Sequence, residues 1–138
     1  MTMLVVNASV AVKFVFREPG TTEVRAFIAG PELFVAPDWI LPEVAHALWN
    51  KVKHSELLQI HAEYSLERLP AFFARLYPAA GLTTDAFSLA LRFRHSVYDC
   101  LYLALALRER AKLLTADKKL HQVAQAAGLE HALLVAGT

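Results

Sequence analysis

Three carboxylates and one amide stand where side-chain oxygens could be gathered on a cation. Glu43 is flanked by apolar Leu41, Val44 and Ala45, and a carboxylate with such neighbours needs a reason to be there. Asp99 lies near the start of Ser96–Ala106, a run that is otherwise almost wholly apolar. Asp117 comes two residues after the Lys112–Thr115 run, and Asn7 directly follows the Met3–Val6 run. Hard oxygen donors with no nearby Cys or His pair suit Mg2+ or Mn2+, not zinc. Two carboxylates brought close without a cation repel by roughly 1–4 kcal/mol at 4 Å. The chemistry that such a cluster serves is phosphodiester hydrolysis, in which the cation activates a water and offsets charge on the phosphate.

Each of these residues also has a plainer role. Ser96 and Asp99 have the spacing of a capping box, in which the aspartate only satisfies backbone amides. Asn7 and Asp117 suit simple N-caps, and Glu43 suits a solvated helix position. His46 lies one turn from Glu43 and reads as a partly exposed packing residue. Trp49 and Tyr98 read as core or dimer surface rather than base-stacking platforms. Cys100, inside the apolar run, reads as a small core residue and not a nucleophile.

The elements that must position these groups follow from periodicity and punctuation. Met3–Val6 reads as a buried strand, followed by a helix over 9–16 that stops near Pro19-Gly20. Thr21 or Thr22 caps a second helix, to about Ala29, and Gly30-Pro31 breaks it. Leu33–Val35 is a second strand. A third helix starts at Pro37-Asp38 and carries Ile40, Leu41, Val44, Leu48 and Val52 at helical spacing. Ser55 opens a fourth helix, which Pro70 kinks or divides on the way to Tyr77. Pro78–Leu82 is a turn or a short edge strand. Thr84-Asp85 caps a helix to about Phe93, and an almost uniformly apolar helix runs from Val97 to about Arg110. Lys112–Thr115 is a strand, Asp117 opens a helix closed by Gly128, and Ala132–Val135 is the last strand. Short buried strands alternating with helices give an α/β fold with a short parallel sheet flanked by helices, and the middle of the chain makes it helix-rich. In such sheets the ligand crevice lies beyond the carboxyl ends of the strands, which is where Asn7 and Asp117 fall.

The chain has 138 residues, of which 56% are hydrophobic. That suits one domain over 1–138 with a core that needs no disulfide. A lone cysteine fits a reducing cytoplasm. The apolar N-terminus is too short for a membrane span and lacks a basic region ahead of it. A formal net charge of +1 argues neither for nor against nucleic acid, since an acidic pocket can carry a basic rim. Lys13, Arg17, Lys51, Arg92, Arg94 and Lys118 lie near the segments above and are candidates for phosphate contacts.

Four segments together resemble a known family. N-A-S-V-A-V-K at 7–13, P-E-V-A-H-A-L-W at 42–49, S-V-Y-D-C-L-Y-L-A-L-A at 96–106 and L-T-A-D-K-K-L at 114–120 are similar, in order and spacing, to the motifs of PIN-domain nucleases. The match is nearest to VapC-type toxins of toxin–antitoxin pairs. The resemblance implies a three-layer PIN-like fold and an acidic quartet around Mg2+ or Mn2+. Glu43, Asp99 and Asp117 match three members of that quartet. Thr115 matches a hydroxyl that orients the site, and Ser9 a residue that supports the first acid. The resemblance also implies an RNA substrate, a homodimer and a cognate VapB-like antitoxin. One position departs: the family has D-A-S after the first strand, and this chain has Asn7. An amide oxygen can bind a hard cation but brings no charge. Three explanations of Asn7 stay open: a natural degenerate copy, a substitution made so that a toxic protein could be produced, or a variant that still works with Asn7 as ligand. The first two leave a weakened nuclease or an inactive scaffold that dimerises and binds an antitoxin. A phosphorelay receiver, another small α/β domain with an acidic pocket, needs an acid pair after the first strand; here Asn7 stands alone.

Overall fold

The computed structural model describes residues 2–137. Five strands, β1 (Met3–Val6), β2 (Leu33–Pro37), β3 (Arg75–Tyr77), β4 (Lys112–Thr115) and β5 (Ala132–Leu134), form one sheet in the order β3-β2-β1-β4-β5. Every pairing is parallel, with Val5 opposite Val35 on one side and Leu113 on the other. Seven α-helices connect them: α1 (Ala8–Val15), α2 (Thr21–Ile28), α3 (Ile40–Lys53), α4 (Gln59–Arg68), α5 (Thr83–Phe93), α6 (Val97–Glu109) and α7 (Lys118–Ala126). The chain leaves β1 towards β2 and leaves β4 in the opposite direction, so right-handed crossovers put helices on both faces. Leu4, Val5 and Val6 are all buried, as a strand covered on both faces requires. The sheet reverses its winding between β1 and β4, and the crevice of such a sheet opens there.

Helix α6 is the core of this arrangement. It packs on β1, β2, β4 and α5, and every residue from Cys100 to Ala106 is buried. A helix enclosed in this way needs an apolar surface all round, and that is what the sequence supplies. At its N-terminus Ser96 caps the Tyr98 and Asp99 amides.

Five boundaries differ from the sequence expectation. Helix α2 is preceded by Gly20 as its N-cap, with Thr21 and Thr22 already inside the helix. Helix α3 starts at Ile40, because Pro37 belongs to β2 and Asp38 is tied to the neighbouring strand end. The Asp38 N–H donates to the Tyr77 carbonyl at 2.7 Å, and its carboxylate accepts from the Ala79 N–H at 2.9 Å. Ser55 opens no helix; it ends α3. Its φ is 59°, its N–H returns to the Val52 carbonyl, and the Glu56 N–H returns to that of Lys51, the pairing of a left-handed helix stop. Pro70 divides the next segment completely: a 3-10 turn over Leu69–Phe72 gives way to β3, an edge strand that the expectation of a helix to Tyr77 misses. The Ala74 N–H bonds to the Phe34 carbonyl at 2.8 Å and draws these residues into the sheet. Thr84 and Asp85 lie within the first turn of α5 and do not cap it, while 79–81 form a 3-10 turn.

Candidate metal centre

Asn7 ends β1 and caps α1, and its own N–H continues the sheet pairing to the Leu114 carbonyl. Its side-chain oxygen Oδ1 accepts from the Ser9 N–H at 3.3 Å, the Ser9 hydroxyl at 2.6 Å and the Thr115 hydroxyl at 3.0 Å. A backbone N–H can only donate, so the amide orientation is fixed by Ser9. The other end of the amide, Nδ2, is buried and has no hydrogen-bond partner among the described residues. Ser9 Oγ in turn accepts from the Ala116 N–H, and Thr115 Oγ1 from the Asp117 N–H. Ser9 and Thr115 thereby join the end of β1 to the turn that carries Asp117.

Asp117 does cap α7: its Oδ1 accepts from the Lys119 and Leu120 N–H groups at 2.8 and 3.3 Å. Those bonds use one carboxylate oxygen and leave the other. The capping reading of Asp99 holds only by half. Ser96 caps the backbone, but the Asp99 carboxylate turns to the imidazole of His95, with Oδ2 at 2.8 Å from Nε2. Glu43, in the first turn of α3, accepts a 2.7 Å hydrogen bond from the Tyr102 hydroxyl. Tyr102 is fully buried on α6, three residues beyond Asp99.

The acids act on one another. Burial raises the Glu43 pKa above its ordinary value; the Tyr102 hydrogen bond opposes this, and the Asp99 charge adds to it. The Trp39 indole also favours the Glu43 carboxylate, although its N–H falls short of hydrogen-bond geometry. Burial likewise raises the Asp99 pKa; the hydrogen bond and charge of His95 oppose, and the Asp117 charge adds. Cys100 is buried and its thiol is pushed up to about 11, chiefly by burial, which leaves it protonated at neutral pH.

Asp99 and Asp117 thus come together at the carboxyl end of the sheet, with Glu43 near enough for the Asp99 charge to act on it. Ligand atoms of His95, Asp99 and Asp117 all lie within 4.8 Å of one another, a donor set that fits one divalent cation. Glu43, expected as a ligand beside Asp99 and Asp117, stands outside that trio; with Trp39, Pro42, His46 and Tyr98 it lines a cleft. Sequence spacing did not point to His95, Tyr102 or Trp39. Tyr98 and Trp49 are exposed rather than core, and Tyr98 stacks on Trp39 with ring centroids 4.6 Å apart. His46 is exposed and stacks on Trp49. Of the expected phosphate contacts, Lys13 is ruled out. It is buried, with Nζ 2.9 Å from Glu18 and 2.7 Å from the Pro19 carbonyl. Lys51 also pairs with Glu18, at 3.5 Å. Arg17, Arg92, Arg94 and Lys118 are exposed.

Residues 4–126 match the family described as PIN domain. The chain is 38% identical to Ribonuclease VapC3 of Pyrobaculum aerophilum over 120 residues, covering 85% of this chain and 91% of that one. It therefore belongs to the PIN-domain family, among proteins of the VapC type. It is also 34% identical to Ribonuclease VapC1 of Mycobacterium tuberculosis over 85 residues, 62% of this chain and 63% of that protein. In fold it is similar to the crystal structure of PAE2754 from Pyrobaculum aerophilum, with a TM-score of 0.74 at 18% identity, covering 97% of this chain and 90% of that one. It is similar again to FitAcB from Neisseria gonorrhoeae, with a TM-score of 0.56 at 16% identity and 96% of each chain covered.

Proposed function

We propose that this chain is the toxin of a VapBC-type pair and that it hydrolyses RNA phosphodiesters with a divalent cation, Mg2+ or Mn2+. The observation that carries the reading is the close approach of Asp99 and Asp117, with Glu43 within reach of the Asp99 charge. The names of the two ribonuclease relatives support the substrate class. Asp99 and Asp117 hold the cation, and Glu43 lies next to them as the third acid. When bound, the cation supplies an activated water and offsets charge on the phosphate. Tyr102 fixes the Glu43 carboxylate, Ser9 and Thr115 fix the Asn7 amide, and the exposed Arg17, Arg92, Arg94 and Lys118 would meet phosphates. Asn7 holds the fourth position as a weakened ligand, because its oxygen must release a Ser9 or Thr115 hydrogen bond to reach a cation.

The chain forms a single domain over 1–138 in a reducing, cytoplasmic setting; among the described residues no helix is long and apolar enough to cross a membrane. Exposed Phe87 and Leu91, one turn apart on α5, support a homodimer. Exposed Leu58, Ile60 and Tyr64 around α4 support an antitoxin contact. Asn7 favours a second reading, an inactive PIN scaffold that dimerises and binds its antitoxin. RNA cleavage and growth arrest by this chain and by Asn7→Asp separate the two. Activity in both supports the nuclease, whereas gain of activity only with the aspartate supports the scaffold.

A further inference from the structure

His95 has no counterpart among the four positions considered above, yet it sits at the centre of the site. Helix α5 ends at Arg94 with a φ of 52°, and the His95 N–H returns to the Ala90 carbonyl at 3.2 Å. That tight stop swings the next residue over the first turn of α6. The His95 side chain is only 8% exposed, so its ring has little freedom to leave. Nε2 lies in the same cluster as the Asp99 and Asp117 carboxylates, all within 4.8 Å. Asn7, at the end of β1, competes poorly for a ligand position. The residue is 3% exposed, its oxygen is taken by Ser9 and Thr115, and its Nδ2 is an unpaired buried donor. An NH2 group cannot ligate a cation. Asn7 can therefore add only a weak oxygen ligand, and the strong donors that lie together are one imidazole nitrogen and two carboxylates.

We propose that His95 Nε2 is a direct ligand of the cation, beside Asp99 and Asp117, and that it gives this site a preference for Mn2+ and other first-row transition ions over Mg2+. The inference rests on the reading that Asp99 and Asp117 hold a divalent ion. Mg2+ favours all-oxygen octahedra with retained waters, whereas imidazole is a good ligand for transition ions. Without the cation, an Nε2–H donates to Asp99. A ligating ring carries its proton on Nδ1, so the Nε2 lone pair faces the ion and any second proton on the ring leaves to solvent as the ion binds.

The experiment is a Mn2+ titration followed by electron paramagnetic resonance, with Mg2+ as competitor, on the unaltered chain, His95→Gln and Asp99→Asn. Loss of the imidazole should weaken Mn2+ binding about ten- to a hundredfold and leave Mg2+ binding within about threefold, so that the ion preference collapses. An unchanged Mn2+-to-Mg2+ ratio in a folded His95→Gln overturns the proposal and leaves His95 as a residue that steadies Asp99. If Asp99→Asn binds both ions as the unaltered chain does, the underlying site reading fails instead. Electron spin-echo envelope modulation on the unaltered chain with Mn2+ bound needs no variant. Coupling to an imidazole nitrogen is expected, and its absence from bound Mn2+ contradicts direct ligation.

Discussion

At Glu43 and Asp99 the protein holds carboxylates that burial disfavours, and this makes two predictions about pH. Both have folded-state pKa values above the ordinary range, so the folded protein holds their protons more tightly than the unfolded chain does. Their contribution to stability is therefore fully present below the ordinary carboxylate range and is lost as pH rises through the raised values. Asp99→Asn should raise the melting temperature of cation-free protein at neutral pH by a few degrees, the shift that about 1 kcal/mol produces in a domain of this size. The same variant should lose all stabilisation by Mn2+, which thermal denaturation with and without the ion checks. Tyr102→Phe removes the hydrogen bond that lowers the Glu43 pKa. Its acid limb of RNA cleavage should move to higher pH, with activity at neutral pH reduced about tenfold, within the range for a positioned acid or base.

Helix α6 couples the site to the core, since Asp99 opens it and Cys100 to Ala106 fill the space beneath. Leu103→Ala removes a fully buried side chain and should cost about 2–5 kcal/mol, read by urea unfolding. At the far end Arg110 adopts φ 52°, a conformation that suits glycine at a helix stop. Arg110→Gly should therefore stabilise the protein by roughly 0.5–1 kcal/mol in the same assay, with activity unchanged. These elements also show how far the sequence could be read. The α6 composition announces burial all round, and the strands at Met3–Val6 and Lys112–Thr115 are plain because β-branched and leucine runs end at capping residues. Strand β3 is not legible: Arg75–Tyr77 is three residues long, too short for a period, and it exists because β2 offers an edge. His95 is hidden for a related reason. It lies outside α6, so helical spacing says nothing of its reach to Asp99; the left-handed turn at Arg94 decides it. Glu43, Asp99 and Asp117 could be named singly, from carboxylates in apolar surroundings, but the Tyr102 bond depends on how α3 and α6 pack together.

The whole molecule is a device for bringing distant segments to one place. Winding reverses between β1 and β4, so residues more than a hundred positions apart, Ser9 and Ala116, are joined by one hydrogen bond of 2.9 Å. The like charges thus collected repel one another, and a bound cation offsets that repulsion. The most direct test is a crystal grown or soaked with Mn2+ and measured for its anomalous signal. The account predicts a single strong peak within coordination distance of Asp99 and Asp117. Saturating Mn2+ with no peak there, or with the ion held elsewhere and those two carboxylates untouched, would contradict it.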